Sequence, residues 1–174
     1  LIRSAQNWIV QGLDVSPSFS APNEQITMVE VTDHDWFGPA WDIELADLDV
    51  FSIADASAWG PAEWVDLASS GVDIDAARVT LRDSRIRNVR FGIALSGDDG
   101  RIQRNLIDGF SADGIRGLGN RGLFEYNRVQ NNLIGDDFDE NHDDGFQSWT
   151  VGAGGVGTGE VSGVVLRGNV FINA

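Results

Sequence analysis

Apolar residues in this chain recur in short alternating runs rather than at helical spacing, which predicts strands. Four segments superpose without gaps: VTLRDSRI, GRIQRNLI, GLFEYNRV and VVLRGNVF, starting at Val79, Gly100, Gly122 and Val164. Each has an apolar residue at its third position and another at its eighth, and the sixth is Ser84, Asn105, Asn127 or Asn169. The starts lie 21, 22 and 42 residues apart, the last step being one period plus an insertion. Two earlier segments, WIVQGLDV from Trp8 and IELADLDV from Ile43, fit the same frame more loosely, with Leu13 and Leu48 in the sixth place. A second register aligns FGI (91–93), DGI (113–115) and DGF (144–146), each a glycine followed by an apolar residue.

A period near 22 residues with glycine turns predicts a β-solenoid whose turns stack at strand spacing, roughly 4.8 Å. One turn cannot bury its apolar face alone; stacking does so. The frame therefore predicts an all-β chain of about six turns, a single domain over residues 1–174 with loop excursions at 20–41, 54–75, 133–142 and 150–161. Asn105, Asn127 and Asn169 should form an inward amide ladder at a bend. A leucine-rich repeat is excluded because the apolar residues it needs before Ile102 and Phe124 are glycines.

The x-φ-x-x-N-x-φ turns and the DGI and DGF units resemble the right-handed parallel β-helix family, the pectate-lyase-like superfamily. The resemblance covers residues 79–174 closely and 7–50 loosely. It implies a right-handed parallel β-helix solenoid and says little about activity, since members include polysaccharide lyases, glycoside hydrolases, epimerases and phage-type spikes. Trp8 already falls in a repeat, and Asn173 and Ala174 directly follow an expected strand. The expectation is a segment of a longer β-helix, its ends covered by further chain or by neighbouring subunits, as in a homotrimer.

Composition narrows the function. The net charge of −15 argues against nucleic acid and anionic membrane partners, and no apolar run is long enough for membrane insertion. Cysteine and lysine are absent, and ten of the twelve arginines fall between Arg78 and Arg128. These arginines read either as a salt-bridge ladder with acids on adjacent turns or as a contact for an anionic glycan or a neighbouring subunit.

The second register supplies candidate chemistry. With Ile93, Ile115 and Phe146 pointing inward, the flanking residues should face out, which stacks Asp113 on Asp144 and sets Arg116 beside Gln147. Two carboxylates about 5 Å apart suit a general acid and base or a nucleophile. The candidate catalytic residues are Asp113, Asp144, Arg116 and His142; Gln147, Trp149, Asp143 and Arg90 are the candidate substrate-binding residues. The competing account is that D-G is a turn dipeptide in a solvated loop. Asp137, Asp139 and Asn141 alternate as oxygen ligands do, which suggests Ca2+, though no EF-hand spacing fits and no cofactor is required. The aromatic stretch TDHDWFGPAW (32–41) either walls a groove or packs on the solenoid side, and Trp59 and Trp64 in the next excursion either pack or meet a partner.

Two function classes follow. The first is a glycan-recognising module of a larger spike or fibre-like assembly, extracellular or on a virion-like surface, binding a polysaccharide or cell-surface glycan. The second is a polysaccharide-degrading enzyme, a uronate lyase or a glycoside hydrolase. The resemblance brings in the hydrolase motifs of the polygalacturonase-like members; of these only the aspartate pair has a counterpart, in SGDDG (96–100).

Overall fold

The computed structural model describes residues 1–17, 25–133 and 143–172. The described residues are all-β apart from one short helix, Pro61–Asp66, and the large parallel sheet is curled through 287°. This architecture is compatible with a β-solenoid.

The strands fall on three faces. Face I stacks Ile2–Arg3, Thr27–Thr32, Ser70–Ile74, Ile93–Leu95, Ile115–Gly117 and Phe146–Gln147, all parallel and in chain order. Face II stacks Thr80–Arg82, Arg101–Gln103, Leu123–Glu125 and Val165–Arg167. Face III stacks Arg85–Val89, Leu106–Phe110, Arg128–Asn132 and Val170–Ile172. The long strand Glu44–Phe51 spans faces II and III, and Ile9–Val15 pairs along it.

The register matches the repeat position for position: Leu81 lies beside Ile102 and Ile102 beside Phe124, and Ile86 beside Ile107 and Ile107 beside Val129. These six side chains are at most 1% exposed and form the centre of the core. Val72, Ile93, Ile115 and Phe146 continue it along face I.

The amide ladder is present and longer than its asparagines. Asn169 Oδ1 accepts the Asn127 backbone N–H, Asn127 Oδ1 accepts that of Asn105, and Asn105 Oδ1 accepts that of Ser84, each at 3.0 Å. The Ser84 hydroxyl then accepts the Leu48 N–H at 3.1 Å. Each amide nitrogen also donates to a backbone carbonyl one turn away, Leu81, Ile102 or Phe124. The corner exists because the residue before each ladder position is left-handed: Gly12, Asp47, Asp83, Arg104, Tyr126 and Gly168 have φ between 52° and 69°. A second left-handed column precedes face II at Asn7, Asp42, Arg78, Asp99, Arg121 and Gly163, with φ of 54° to 70°.

Two of the expected excursions contain face I strands. Thr27–Thr32 lies inside 20–41, and Ser70–Ile74 inside 54–75; both are face I strands. Their alternation, TMVEVT and SGVDI, buries Val29, Val31, Val72 and Ile74. Gly71 belongs to the second register, which also holds Gly92, Gly114 and Gly145. Here glycine answers to close approach: a Cβ on Gly71 would meet Gly92 O at 2.4 Å, and one on Gly92 would meet Gly114 O at 2.2 Å. The glycine-rich 150–161 stretch holds an antiparallel pair, Val151–Gly152 with Gly155–Val156. Most of 133–142 lies outside the described residues. No helix among the described residues is long and apolar enough to cross a membrane.

Asn105→Ala strands the Ser84 N–H in the interior and removes the amide donor to the Leu81 carbonyl, so urea unfolding should register a loss of about 2 kcal/mol. Gly92→Ala drives a methyl into a backbone oxygen and should destabilise by about 3 kcal/mol or more; an unfolding midpoint equal to wild type would contradict the stacking distance.

Candidate functional site

The outer side of face I carries one column in register: Glu30 beside Asp73, Asp73 beside Ala94, Ala94 beside Arg116, and Arg116 beside Gln147. Strand alternation puts these residues outward while their neighbours fill the core. Asp75 follows Asp73 on the same side, tied in by its N–H to Val31 O at 2.8 Å. Burial pushes the Asp73 carboxyl up from its ordinary value, and Asp75 and Glu30 push it further. Burial likewise raises Asp75, with Asp33 and Glu30 adding to it. Like charges stacked at strand spacing disfavour joint ionisation. This acidic row was missed in the sequence because SGVDID was read as part of an excursion; its match to the glycine register was the available signal.

At the other end of the column the expected residues do come together, but in a packed arrangement. Asp113 is only 1% exposed rather than outward-facing. Its carboxylate accepts the Arg116 Nε–H at 2.5 Å and the Asp144 backbone N–H at 3.2 Å. Burial raises its pKa, opposed chiefly by Arg116. The Arg116 guanidinium in turn covers the Phe91 ring at 3.9 Å from its centroid. Asp113 thus holds Arg116 and joins adjacent strands.

Asp144 is half-buried, and its carboxylate accepts from Gln147 Nε2 at 3.2 Å. Gln147 Oε1 accepts the Trp149 indole N–H at 2.5 Å. Arg90 lies alongside, its guanidinium 5.7 Å from the Phe91 centroid. Asp143 is turned elsewhere: it lines a cavity of about 200 Å3 with Phe110, Val129, Asn132 and Phe171. His142 and the metal candidates Asp137, Asp139 and Asn141 lie outside the described residues. Among the described residues, no group of three or more His, Cys, Asp or Glu side chains is placed to hold a metal ion.

The aromatic excursion divides its residues. Trp41 packs on the solenoid side, with Arg78 over its ring at 5.0 Å. The tip is a tight turn closed by two backbone bonds between His34 and Gly38, at 3.0 and 2.9 Å. Asp33 Oδ1 accepts the Ala40 N–H at 2.8 Å. This presents Trp36 and Phe37 to solvent, 87% and 75% exposed, in the same turn as Asp33.

The arginine-rich middle is paired. Arg82 contacts Glu44 and Asp83, Arg104 contacts Asp83, Arg87 contacts Asp49, and Arg121 contacts Asp98 and Asp99. Hydrogen bonds from Arg104 and Arg82 hold the Asp83 carboxyl down at about 2. Comparison of the chain with family models, curated proteins and solved structures finds no match in any of the three.

A carboxyl whose folded pKa is raised binds its proton more tightly in the folded state, so it adds stability below the unfolded pKa and loses that advantage as pH rises through the folded value. Asp73→Asn should therefore raise the thermal midpoint by a few degrees near neutral pH and leave it unchanged at about pH 3. Melting curves at the two pH values check this; an unchanged midpoint near neutrality would remove the strain assigned to the row.

Proposed function

We propose that this chain is a glycan-recognising module, and that its curled parallel sheet is a right-handed β-helix of six turns similar to the pectate-lyase-like superfamily. The handedness is supported by the connections between parallel strands, which run right-handed in about 98% of known cases. The observation that carries the functional reading is that Asp33, which shares a turn with the exposed Trp36 and Phe37, acts on Asp75 of the acidic row formed with Glu30 and Asp73. Aromatic faces suit the apolar faces of pyranose rings, and carboxylates accept hydrogen bonds from sugar hydroxyls.

The row also selects. Its charge repels a uronate polymer, and Arg116, the cation that would grip one, is engaged by Asp113 and Phe91. Neutral or amino-sugar glycans are the ligands it favours. Binding needs no cofactor, and Ca2+ has no part in the reading. The module fits an extracellular or virion-like surface, as part of a spike or fibre-like assembly such as a homotrimer.

One observation favours a second reading, hydrolysis of a neutral polysaccharide. The raised pKa values of Asp73 and Asp75 suit a general acid near a second carboxylate better than the buried Asp113 does.

Binding to immobilised neutral, amino-sugar and uronate polysaccharides tests both. Neutral or amino-sugar polymers should be retained, and Trp36→Ala should weaken binding about tenfold. Retention of uronates alone would overturn the reading. Release of reducing ends by wild type but not by Asp73→Asn would establish the hydrolase instead.

A further inference from the structure

The excursion that follows Phe51 stands away from the sheet and encloses space. Its helix, Pro61–Asp66, is anchored through Trp64, which is 4% exposed and whose carbonyl accepts the Ser111 hydroxyl at 3.0 Å. Its first residues are held over face III by two donors: Asn88 Nδ2 to Ile53 O at 2.8 Å and Arg87 Nη1 to Ala54 O at 2.9 Å. Between this arch and face III lies a cavity of about 470 Å3, lined by Trp59, Arg85, Asn88, Asp108 and Asn131 among others. Sites for small molecules fall at roughly 300–1,000 Å3.

Its walls differ in chemistry. Trp59 forms the arch side, set edge-on to Trp64 at 5.0 Å and 88°. The floor is polar: Asp108 accepts from Asn131 Nδ2 at 2.7 Å and from Arg85 Nη2 at 3.4 Å. Burial acts to raise Asp108, but hydrogen bonds from Gln130, Asn131 and Arg85 outweigh it and keep the carboxyl below its ordinary value. It is an ionised acceptor flanked by donors.

The backbone shapes the floor. Asn88, Gly109 and Asn131 occupy equivalent places on three adjacent strands and all are left-handed, at φ 51°, 81° and 61°. The face kinks there, and such kinks re-aim side chains, as β-bulges do. At Gly109 a Cβ would stand 3.2 Å from Asn88 Oδ1, crowding the floor, and the left-handed φ disfavours any side chain there. The formal charges of the lining, Arg85 and Arg87 against Asp55 and Asp108, cancel. Arg87 is further engaged by Asp49 through two bonds of 3.0 and 2.8 Å. An apolar wall over a charge-neutral floor of paired donors and acceptors suits a neutral polyhydroxylated ring.

We propose that this cavity binds one pyranose unit of a neutral glycan, its apolar face on Trp59 and its hydroxyls on Asp108, Asn131 and Arg85. The proposal extends the glycan-recognition reading to a second site, on face III rather than on the face I row.

Titration of the 15N-labelled full chain with methyl glycosides of glucose, galactose, mannose and N-acetylglucosamine tests it. The Trp59 indole N–H signal, identified by its loss in Trp59→Phe, should shift saturably with at least one of them. Asp108→Asn should weaken that binding about tenfold, and Arg85→Gln, at an exposed side chain, should weaken it where Asp108→Asn fails to fold. Trp36→Ala should leave it intact. A silent Trp59 signal with all four glycosides, while polysaccharide retention persists, overturns the cavity and leaves the face I reading standing. A Trp59 shift without polysaccharide retention supports the cavity and overturns the face I row. A shift that neither Asp108→Asn nor Arg85→Gln weakens overturns the cavity assignment.

Discussion

Parallel pairing in register is the constraint on which the rest of this structure depends. When the same position of successive repeats must meet at roughly 4.8 Å, every residue is judged by what stands directly above and below it. The glycine column is one consequence: Gly71, Gly92 and Gly114 admit the next backbone oxygen where a Cβ would collide with it. The asparagine ladder is another, since a buried amide at a corner can be satisfied from both sides only if a hydrogen-bonding partner sits in the same place one turn on. The left-handed corners are a third. A non-glycine residue there costs about 1–2 kcal/mol, yet Asp47, Asp83, Arg104 and Tyr126 all accept it. The paired strands on either side of each corner offset that strain.

Charge obeys the same rule until it reaches face I. At the corner before face II, Asp42, Arg78, Asp99 and Arg121 follow one another in successive repeats, and bonds of 2.7 Å join Arg78 to Asp42 and Arg121 to Asp99. Elsewhere on faces II and III, Arg82, Arg85 and Arg87 find acids on neighbouring strands. These exposed pairs contribute little each to stability, but they give many of the acids in a chain of net charge −15 a cation on a neighbouring strand. Glu30, Asp73 and Asp75 break the pattern. Arg116, the cation that acts on Asp73, is already bonded to Asp113. A local conflict in which burial and like charges raise the carboxyl pKa values is where function is expected to sit.

The repeat was legible because burial and hydrogen bonding both write to the sequence. The third and eighth positions must be apolar, and the sixth must carry an amide or hydroxyl, so Val79 to Val170 could be aligned by eye. The early strands were harder. Thr27–Thr32 and Ser70–Ile74 stack as regularly as the rest, but the inserted segments change their spacing and hid them inside supposed loops. The left-handed corner was not legible at all, because its demand falls on the backbone and its side chains, aspartate, arginine and tyrosine among them, point to solvent with no shared chemistry. The error at Asp113 has a similar cause. Alternation places a residue before a glycine on the outer edge, but here the chain is leaving a turn rather than running along a strand, and the carboxylate folds back under Arg116.

That distinction moves attention from the ladder to the insertions. A stack presents columns and corners at fixed spacing. Among the described residues, two further features are made by excursions resting on a face. The 33–40 turn, whose Asp33 acts on Asp75 of the acidic row, exposes Trp36 and Phe37, and the arch from Ala54 through the Pro61–Asp66 helix covers a kinked part of face III. In each case the stack supplies fixed polar groups at a fixed spacing and the insertion supplies an aromatic surface. A polymer of hydroxylated rings also repeats at fixed spacing and alternates apolar faces with polar edges. The proposed glycan recognition rests on a rigid ladder with aromatic insertions.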